Sequence, residues 1–192
     1  MDENRALFWT LVEPEHPKAR AYCRKLMGGR DDGDDLYHDA LVAARLHVGD
    51  LRDRDAFRSW LYRIIINTFR KRISRPWWKR RQAMSDEELE QAIAYDPAPG
   101  YAARRLLERA FRVITPEDQA LITLFEMEGW SIAELSTLNG RSEQALRVRL
   151  HRARRRMREA LIRHHQDTVP DRVAKLITVE DLLCAVRKSD AD

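Results

Sequence analysis

Arginine side chains are concentrated in one stretch of the C-terminal half, and their type and spacing suit contacts with a partner. Residues 141–163 contain nine arginines against two acids, Glu143 and Glu159. The guanidinium group is a planar fork that binds phosphate oxygens and guanine edges in a bidentate manner. Such a density on one segment predicts binding to a nucleic-acid backbone and to base edges. A solvated basic face on an ordinary helical hairpin is the alternative.

The elements that must position these arginines follow from local signals in residues 131–158. Ser131 to Glu134 has the spacing of a capping box, Asn139-Gly140 suits a tight turn, and Ser142 can cap the next helix. An apolar stripe at helical spacing follows, formed by Leu146, Leu150, Ala153 and Met157. The sequence therefore predicts a helix-turn-helix whose second helix enters the major groove.

A second basic segment lies at residues 70–81 and overlaps the end of a predicted helix at 55–73, which has Asp55 as its N-cap. The polar side chains of this helix share one face: Ser59, Arg63, Asn67, Arg70 and Ser74. Trp77 and Trp78 stand within the basic segment, and such rings stack on the bases of single-stranded or melted DNA. Contact with a partner protein or packing in a linker explains the two tryptophans equally well, and Trp60 is expected in the core.

Charge alternates in blocks along the chain, although 35 basic against 31 acidic residues give a net charge of only +4. Residues 31–39 hold five acids without a base, and 82–103 again hold five acids without a base. This alternation predicts two folded units joined by an acidic connector. Of the basic residues, 29 are arginine, which either nucleic-acid binding or a GC-rich genome explains.

Helical periodicity runs through the chain, with predicted helices at 4–12, 16–28 and 33–48 and no period-two strand pattern. The predicted fold is all-α, with two small helical domains at 1–75 and 100–164. An acidic linker at 76–99 joins them, and 165–192 form a C-terminal extension. The second domain is expected to be a four-helix unit with a helix-turn-helix and no wing.

Composition argues against several classes of protein. No apolar run is long enough to span a bilayer, and no signal peptide is recognisable, so we expect no membrane insertion and a cytoplasmic location. Cys23 and Cys184 lack the spacing of a disulfide framework or a zinc site. Because no catalytic, metal-ligand or phosphate-loop constellation is present, we expect a protein without catalytic residues, metal or cofactor.

Three stretches taken together resemble the extracytoplasmic-function (group 4) sigma factors of bacterial RNA polymerase. Residues 34–39, DDLYHD, are similar to an acidic family stretch. Residues 57–67, FRSWLYRIIIN, and 147–154, RVRLHRAR, are similar to two further family helices. The resemblance covers about residues 5–75 and 100–163. It implies a protein that binds core polymerase and directs initiation at promoters with −10 and −35 elements.

The resemblance assigns three sets of residues. Recognition of the −35 element is expected from Arg147, Val148, Arg149, His151, Arg152, Arg154 and Arg155. Recognition of a flipped −10 base and aid in melting are expected from Arg63, Asn67 and Arg70. Binding to the clamp coiled coil of the largest polymerase subunit is expected from Asp34, Asp35, Leu36, His38 and Asp39. The expected partners are core polymerase, promoter DNA and an inhibitory anti-sigma protein.

Simpler explanations exist for these sets. The acidic stretch also suits an ordinary helix N-terminus, where the helix dipole favours negative charge. Asn67 is equally an ordinary polar position on a solvated face. At the level of the whole protein, a helix-turn-helix operator-binding regulator leaves 31–75 without a role. A sigma-like decoy that binds only an anti-sigma protein leaves the arginines of 141–163 without one.

Overall fold

Helices form the secondary structure in the computed structural model, which describes residues 3–76, 78, 99–168 and 179. Within these residues no strand is found, which confirms the all-α prediction. The helices are α1 (Glu3–Val12), α2 (His16–Met27), α3 (Arg30–His47), α4 (Phe57–Ile73), α5 (Pro99–Phe111), α6 (Pro116–Ile122), α7 (Ile132–Asn139) and α8 (Glu143–Thr168). A short 3₁₀ helix (Val48–Asp50) follows α3, and a π-helical turn (Thr123–Met127) follows α6.

Contacts divide the chain into two compact units that do not follow the order of the sequence. The first unit contains residues 1–74 together with 123–146, and the second contains 75–122 together with 147–192. The predicted division at residues 75 and 100 describes sequence regions and stays a prediction.

The first unit is built on helices α2, α3 and α4, with α3 in contact with both of the others. Their facing side chains form an apolar core that includes Tyr22, Leu36, Leu61, Ile65 and Phe69, each at most 1% exposed. The apolar residues of the predicted helix at 55–73 that fall at helical spacing include Phe57, Leu61 and Ile65, and all three are buried, whereas Trp60 is only partly buried. Tyr62 and Phe69 complete the buried face.

Gly33 allows α2 and α3 to approach closely. A Cβ at this position would lie 2.4 Å from the Cα of Arg24, which is closer than two carbons can pack. The glycine is buried inside α3 even though glycine disfavours the helical state. Gly33 therefore lowers the helix propensity of α3 but allows α2 and α3 to pack at a short distance.

Residues 123–146 complete the first unit. The π-helical turn packs against α2, and α7 packs against α4. The buried side chains of this segment include Leu124, Trp130, Leu135 and Leu138, each at most 3% exposed.

The second unit contains α5, α6 and most of α8. Its buried side chains include Leu107, Ala110, Leu121, Leu150 and Met157. The apolar stripe predicted for α8, at residues 146, 150, 153 and 157, is confirmed, since all four side chains are at most 2% exposed.

Most predicted helix ends are confirmed, because they depend on contacts between near neighbours in sequence. Gly28, Gly129 and Gly140 have positive φ angles of 71°, 71° and 63°, the left-handed conformation expected at helix ends. The backbone amide of Asp118 donates to Thr115 Oγ1 over 3.2 Å, as expected for a cap. The Asp55 cap is wrong: Ala56 precedes α4 without a side-chain cap, and Asp55 donates its amide to Asp53 over 3.0 Å.

The sequence also predicts a weak helical turn at 85–91 and a C-terminal helix at 178–187 with Thr178 as its cap. The first lies outside the described residues, and of the second the structure describes residue 179 alone.

Candidate nucleic-acid interface

The turn between α7 and α8 has the hydrogen bonds that the sequence predicts. Ser131 Oγ accepts from the amide of Glu134 over 3.2 Å, and the Glu134 carboxylate accepts from the amide of Ser131 over 2.8 Å. These bonds from Ser131 hold the pKa of Glu134 below its usual range. At the other end of the turn, Ser142 Oγ accepts from the amide of Ala145 over 3.3 Å. Three residues separate the two helices, as a helix-turn-helix requires.

Helix α8 presents an exposed face opposite its buried stripe. Leu146, Leu150 and Ala153 are buried, so the residues between them point to solvent. The exposed members of the predicted −35 set are Arg147, Val148, His151, Arg152 and Arg155. Their positions in the first turns of the helix suit base edges and phosphates, and the exposed Val148 suits contact with a thymine methyl group.

Arg149 and Arg154 differ from the other five residues of this set, since both are partly buried. Arg149 Nε donates to Asp118 Oδ1 over 2.5 Å, and the aspartate is 8% exposed. The contact ties α8 to α6 within the second unit. Arg149 therefore has an internal partner that occupies its guanidinium group, which the expectation of a base contact did not foresee.

Helix α4 carries the predicted −10 set on its exposed side. Arg63, Asn67 and Arg70 are all exposed and lie at helical spacing on one face. Arg63 also makes contacts inside the first unit, because its Nε and Nη2 donate to the carbonyl of Leu138 over 3.1 and 2.8 Å. One of the three predicted −10 residues is thus engaged at the C-terminal end of α7.

Of the two tryptophans after α4, the structure describes Trp78. Trp78 is 7% exposed, so its ring is not available to stack on bases in this structure. Of the two interpretations given above, its burial favours packing. Trp77 lies outside the described residues.

The acidic stretch at the start of α3 separates into side chains with different environments. Asp34 accepts from Arg20 Nε and Nη2 over 2.9 and 2.6 Å and from Arg24 Nε and Nη2 over 2.7 and 2.8 Å. These hydrogen bonds, that from Arg24 first, hold the pKa of Asp34 well below its usual range. Both arginines belong to α2, so the carboxylate that was expected to bind polymerase joins two helices of its own chain.

Leu36 is the buried member of the predicted polymerase-binding set, and its assignment to that set stays a prediction. Its side chain is 0% exposed because it faces the core shared by α2, α3 and α4. A side chain in that position supports the helix and offers no surface to a partner.

Asp35, His38 and Asp39 remain on the exposed side of α3. Arg72 of α4 contacts Asp35 over 3.1 Å and Asp39 over 3.0 Å, yet the two aspartates keep 70% and 50% of their side chains in solvent. These carboxylates can still accept hydrogen bonds from a basic partner.

Sequence reasoning did not single out the side chains that join residues 123–146 to the N-terminal helices. They include Lys25, Arg58, Glu128 and Trp130. A local signal that could have indicated them is Gly129, which has a positive φ and lies directly before Trp130.

Two further features apply to the described residues only. Within them, no helix has the length and apolar character needed to cross a membrane. The same part of the chain holds no group of three or more His, Cys, Asp or Glu side chains arranged to bind a metal ion.

Comparison with known proteins gives two family matches in the predicted order. Residues 11–79 match the model described as Sigma-70 region 2, and residues 104–157 match the model described as Sigma-70, region 4. The first match contains α4 and the acidic stretch, and the second contains the helix-turn-helix.

Individual relatives agree with these matches. The ECF RNA polymerase sigma factor SigF of Caulobacter vibrioides is 30% identical over 152 residues, which cover 76% of this chain and 80% of that protein. The ECF RNA polymerase sigma factor SigE of Mycolicibacterium smegmatis is 30% identical over 163 residues, which cover 82% of this chain. The aligned part spans 63% of the length of SigE.

A solved structure has a similar fold. It is the sigma factor RpoE of Bartonella quintana, which was crystallised with the anti-sigma factor NepR. The two chains superpose with a TM-score of 0.52 at 20% identity, covering 80% of this chain and 96% of that one. With both family regions in order and relatives matched over most of their length, the chain belongs to the ECF RNA polymerase sigma factors, the proteins that direct promoter-specific transcription initiation.

Proposed function

We propose that this chain binds core RNA polymerase and selects promoters through two DNA-reading faces. The observation that carries the proposal is the exposed arginine face of α8, which follows a correctly capped turn in the region 4 match. DNA-binding transcription factors of this family act by recognition. We further propose that the chain catalyses no reaction of its own and acts in the cytoplasm, where polymerase and DNA are.

In this proposal each set of exposed residues binds a different part of the promoter or of the polymerase. Arg147, His151 and Arg152 read base edges of the −35 element, and Arg155 holds phosphates. Asn67 and Arg70 contact the −10 element from α4. Asp35, His38 and Asp39 bind the clamp coiled coil of the largest subunit, supported by their exposure on α3. Residues 1–75 and 100–164 act as the two domains, with 76–99 as linker.

Run-off transcription with purified core polymerase is the decisive experiment. A promoter is first selected from random DNA with polymerase that carries the wild-type chain. The expected result is initiation that depends on this chain and on both selected elements. DNA binding without any effect of core polymerase would indicate an operator-binding regulator. Absence of both activities would indicate a decoy.

Arg152→Ala tests the −35 assignment. Each arginine that reads a base is expected to contribute about 1–3 kcal/mol of binding free energy, with loss of preference at one position. Arg163→Ala is the matched control, because Arg163 is exposed on the same helix about 17 Å further along. Binding to core polymerase should be unchanged in both variants. A uniform loss over all DNA sequences would reduce the role of Arg152 to a phosphate contact.

The proposal includes an anti-sigma protein as the inhibitory partner. This part of the proposal is supported by membership of the family. The Bartonella quintana sigma factor was crystallised with the anti-sigma factor NepR, which is a property of that protein. A candidate partner qualifies if, as a purified protein, it lowers the affinity of this chain for core polymerase.

A further inference from the structure

Arg72 lies in the last turn of α4 and reaches three carboxylates on one face of α3. Its Nη1 donates to Asp39 Oδ2 over 3.0 Å, and its Nη2 donates to Asp35 Oδ2 over 3.1 Å. Asp32 Oδ1 lies 3.9 Å from the same Nη2. Because the two terminal nitrogens bind different carboxylates, one guanidinium group bridges Asp35 and Asp39, which are neighbours on successive turns of α3.

The arginine and the two aspartates that it bridges differ in exposure. The side chain of Arg72 is 11% exposed, whereas Asp35 and Asp39 keep at least half of their side chains in solvent. Arg70 and Lys71, the other basic residues in the last turn of α4, are exposed. Arg72 alone of these three therefore turns towards α3, where it lies beneath carboxylates that a partner can reach.

The bridge leaves one oxygen of each aspartate for a partner. Arg72 binds the two Oδ2 atoms, so Oδ1 of Asp35 and Oδ1 of Asp39 remain available as hydrogen-bond acceptors. Each carboxylate is held in one orientation by a planar, nearly buried guanidinium group that belongs to another helix. Side chains that are already ordered lose less rotamer freedom when they bind a partner, and this raises the affinity.

The positive charge of Arg72 has the opposite effect on binding. It lies next to both carboxylates and reduces the attraction of this acidic face for a basic partner. Charge alone therefore predicts tighter binding when Arg72 is removed, whereas ordering of the carboxylates predicts weaker binding. Salt screens the charge effect but leaves the ordering in place, so the two effects can be separated by ionic strength.

We infer that Arg72 is a positioning residue for polymerase binding, which orders Asp35 and Asp39 so that their Oδ1 atoms together accept hydrogen bonds from basic side chains of the clamp coiled coil. The inference rests on the proposed function, since it assumes that the two aspartates bind polymerase. Arg72 acts through them and does not itself contact polymerase. Its partners lie 33 and 37 residues away in sequence, so no local pattern indicates this role.

Arg72→Gln in the full chain tests the inference through the affinity for core polymerase, measured by surface binding. The glutamine removes the bridge, and the dissociation constant should rise about tenfold, within the range of coupling between residues in contact. The rise should be larger at high ionic strength, because the stronger attraction of the more acidic face offsets part of it at low ionic strength. Unchanged or tighter binding at high ionic strength would overturn the inference.

A background without the two carboxylates distinguishes positioning from a general loss of structure. In a chain that carries Asp35→Asn and Asp39→Asn, Arg72→Gln should change the dissociation constant by less than about twofold, because the groups through which Arg72 acts are already altered. Circular dichroism verifies that each variant is folded at the temperature of the measurement. An equal loss of affinity in both backgrounds would mean that Arg72 supports the fold as a whole, and the inference would be wrong.

Arg72→Lys separates the shape of the guanidinium group from its charge. A lysine keeps the positive charge, but its compact ammonium group cannot reproduce the planar bridge between the two Oδ2 atoms. This variant should therefore bind core polymerase nearly as weakly as Arg72→Gln. Full recovery of affinity with lysine would show that a charge suffices and would contradict the bridging role.

Lys71→Gln is the matched control for net charge. Lys71 is exposed in the same turn of α4 and belongs to none of the residue sets proposed to bind DNA or polymerase. Its removal should leave the dissociation constant for core polymerase within about twofold of wild type, since exposed charges contribute little. A loss equal to that of Arg72→Gln would assign the effect to net charge and reject the positioning role.

The same measurements distinguish failure of the inference from failure of the proposed function. If the wild-type chain does not bind core polymerase, the proposed function fails and the inference falls with it. If wild type binds and the two asparagine substitutions leave the affinity unchanged, the chain still binds polymerase but the positioning role is rejected. A loss with the asparagines and none with Arg72→Gln rejects the positioning role alone.

Discussion

The acidic stretch of α3 and the basic helix α8 both have their charge concentrated on one short segment, but the fold uses that charge differently. In α3, Asp34 is held by two arginines of α2, and Leu36 lies in the core. In α8, one arginine, Arg149, is tied to an aspartate of α6, and most of the predicted −35 residues remain exposed. The acidic stretch therefore places one carboxylate between two helices of its own unit and leaves Asp35 and Asp39 exposed, whereas α8 leaves most of its predicted −35 side chains exposed.

Leu36→Ala should have the largest effect on stability, and it tests whether Leu36 of the acidic stretch belongs to the core. The side chain is fully buried, so its removal leaves a cavity and should lower the free energy of unfolding by about 3 kcal/mol. Urea unfolding followed by circular dichroism measures this change. A variant of unchanged stability that loses only polymerase affinity would return Leu36 to the polymerase-binding set.

Arg149→Ala tests whether this arginine of α8 stabilises the fold, in contrast to the exposed arginines of the same helix. Loss of the charged hydrogen bond to Asp118 should lower the free energy of unfolding by about 2 kcal/mol. Arg152→Ala, on the exposed face, should leave stability within about 0.5 kcal/mol while weakening promoter binding. Equal stability of the two variants, with DNA affinity lost in both, would place Arg149 among the base-reading residues.

Asp34→Asn should destabilise the chain less than Leu36→Ala, because Asp34 and its arginine partners remain partly in solvent. The pKa of Asp34 is lowered in the fold, so its contribution is fully present above the unfolded pKa of about 3.9 and is lost as pH falls below it. The difference in unfolding free energy between wild type and variant should be constant from pH 7 to 5 and shrink below about pH 4. A difference independent of pH would exclude the carboxylate charge as its source.

Asp35→Asn should have the smallest effect on stability, within about 0.5 kcal/mol, since most of the side chain is in solvent. Its affinity for core polymerase should nevertheless fall, which surface binding measurements can detect. Asp50→Asn provides an exposed acidic control outside the acidic stretch. An equal loss of affinity in both variants would indicate a general charge effect.

Sequence predicted the local features well because they depend on residues three or four positions apart. The Ser131 capping box, the glycine at 140 and the buried stripe of α8 all follow from helical spacing. The cap at Asp55 failed for a related reason. A short acidic side chain can bond to several nearby amides, and here Asp53 makes the bond, to the amide of Asp55 itself.

The sequence by itself determined that this chain is helical and where its charge is concentrated, and its resemblance to sigma factors indicated the family. Tertiary structure decided which charges remain available, because the partners of Asp34 and Arg149 come from other helices, ten to 31 residues away. The contacts of Lys25, Arg58 and Arg63 join residues 75 to 103 positions apart. No local pattern encodes such pairs, since they arise only when packed helices bring distant side chains together.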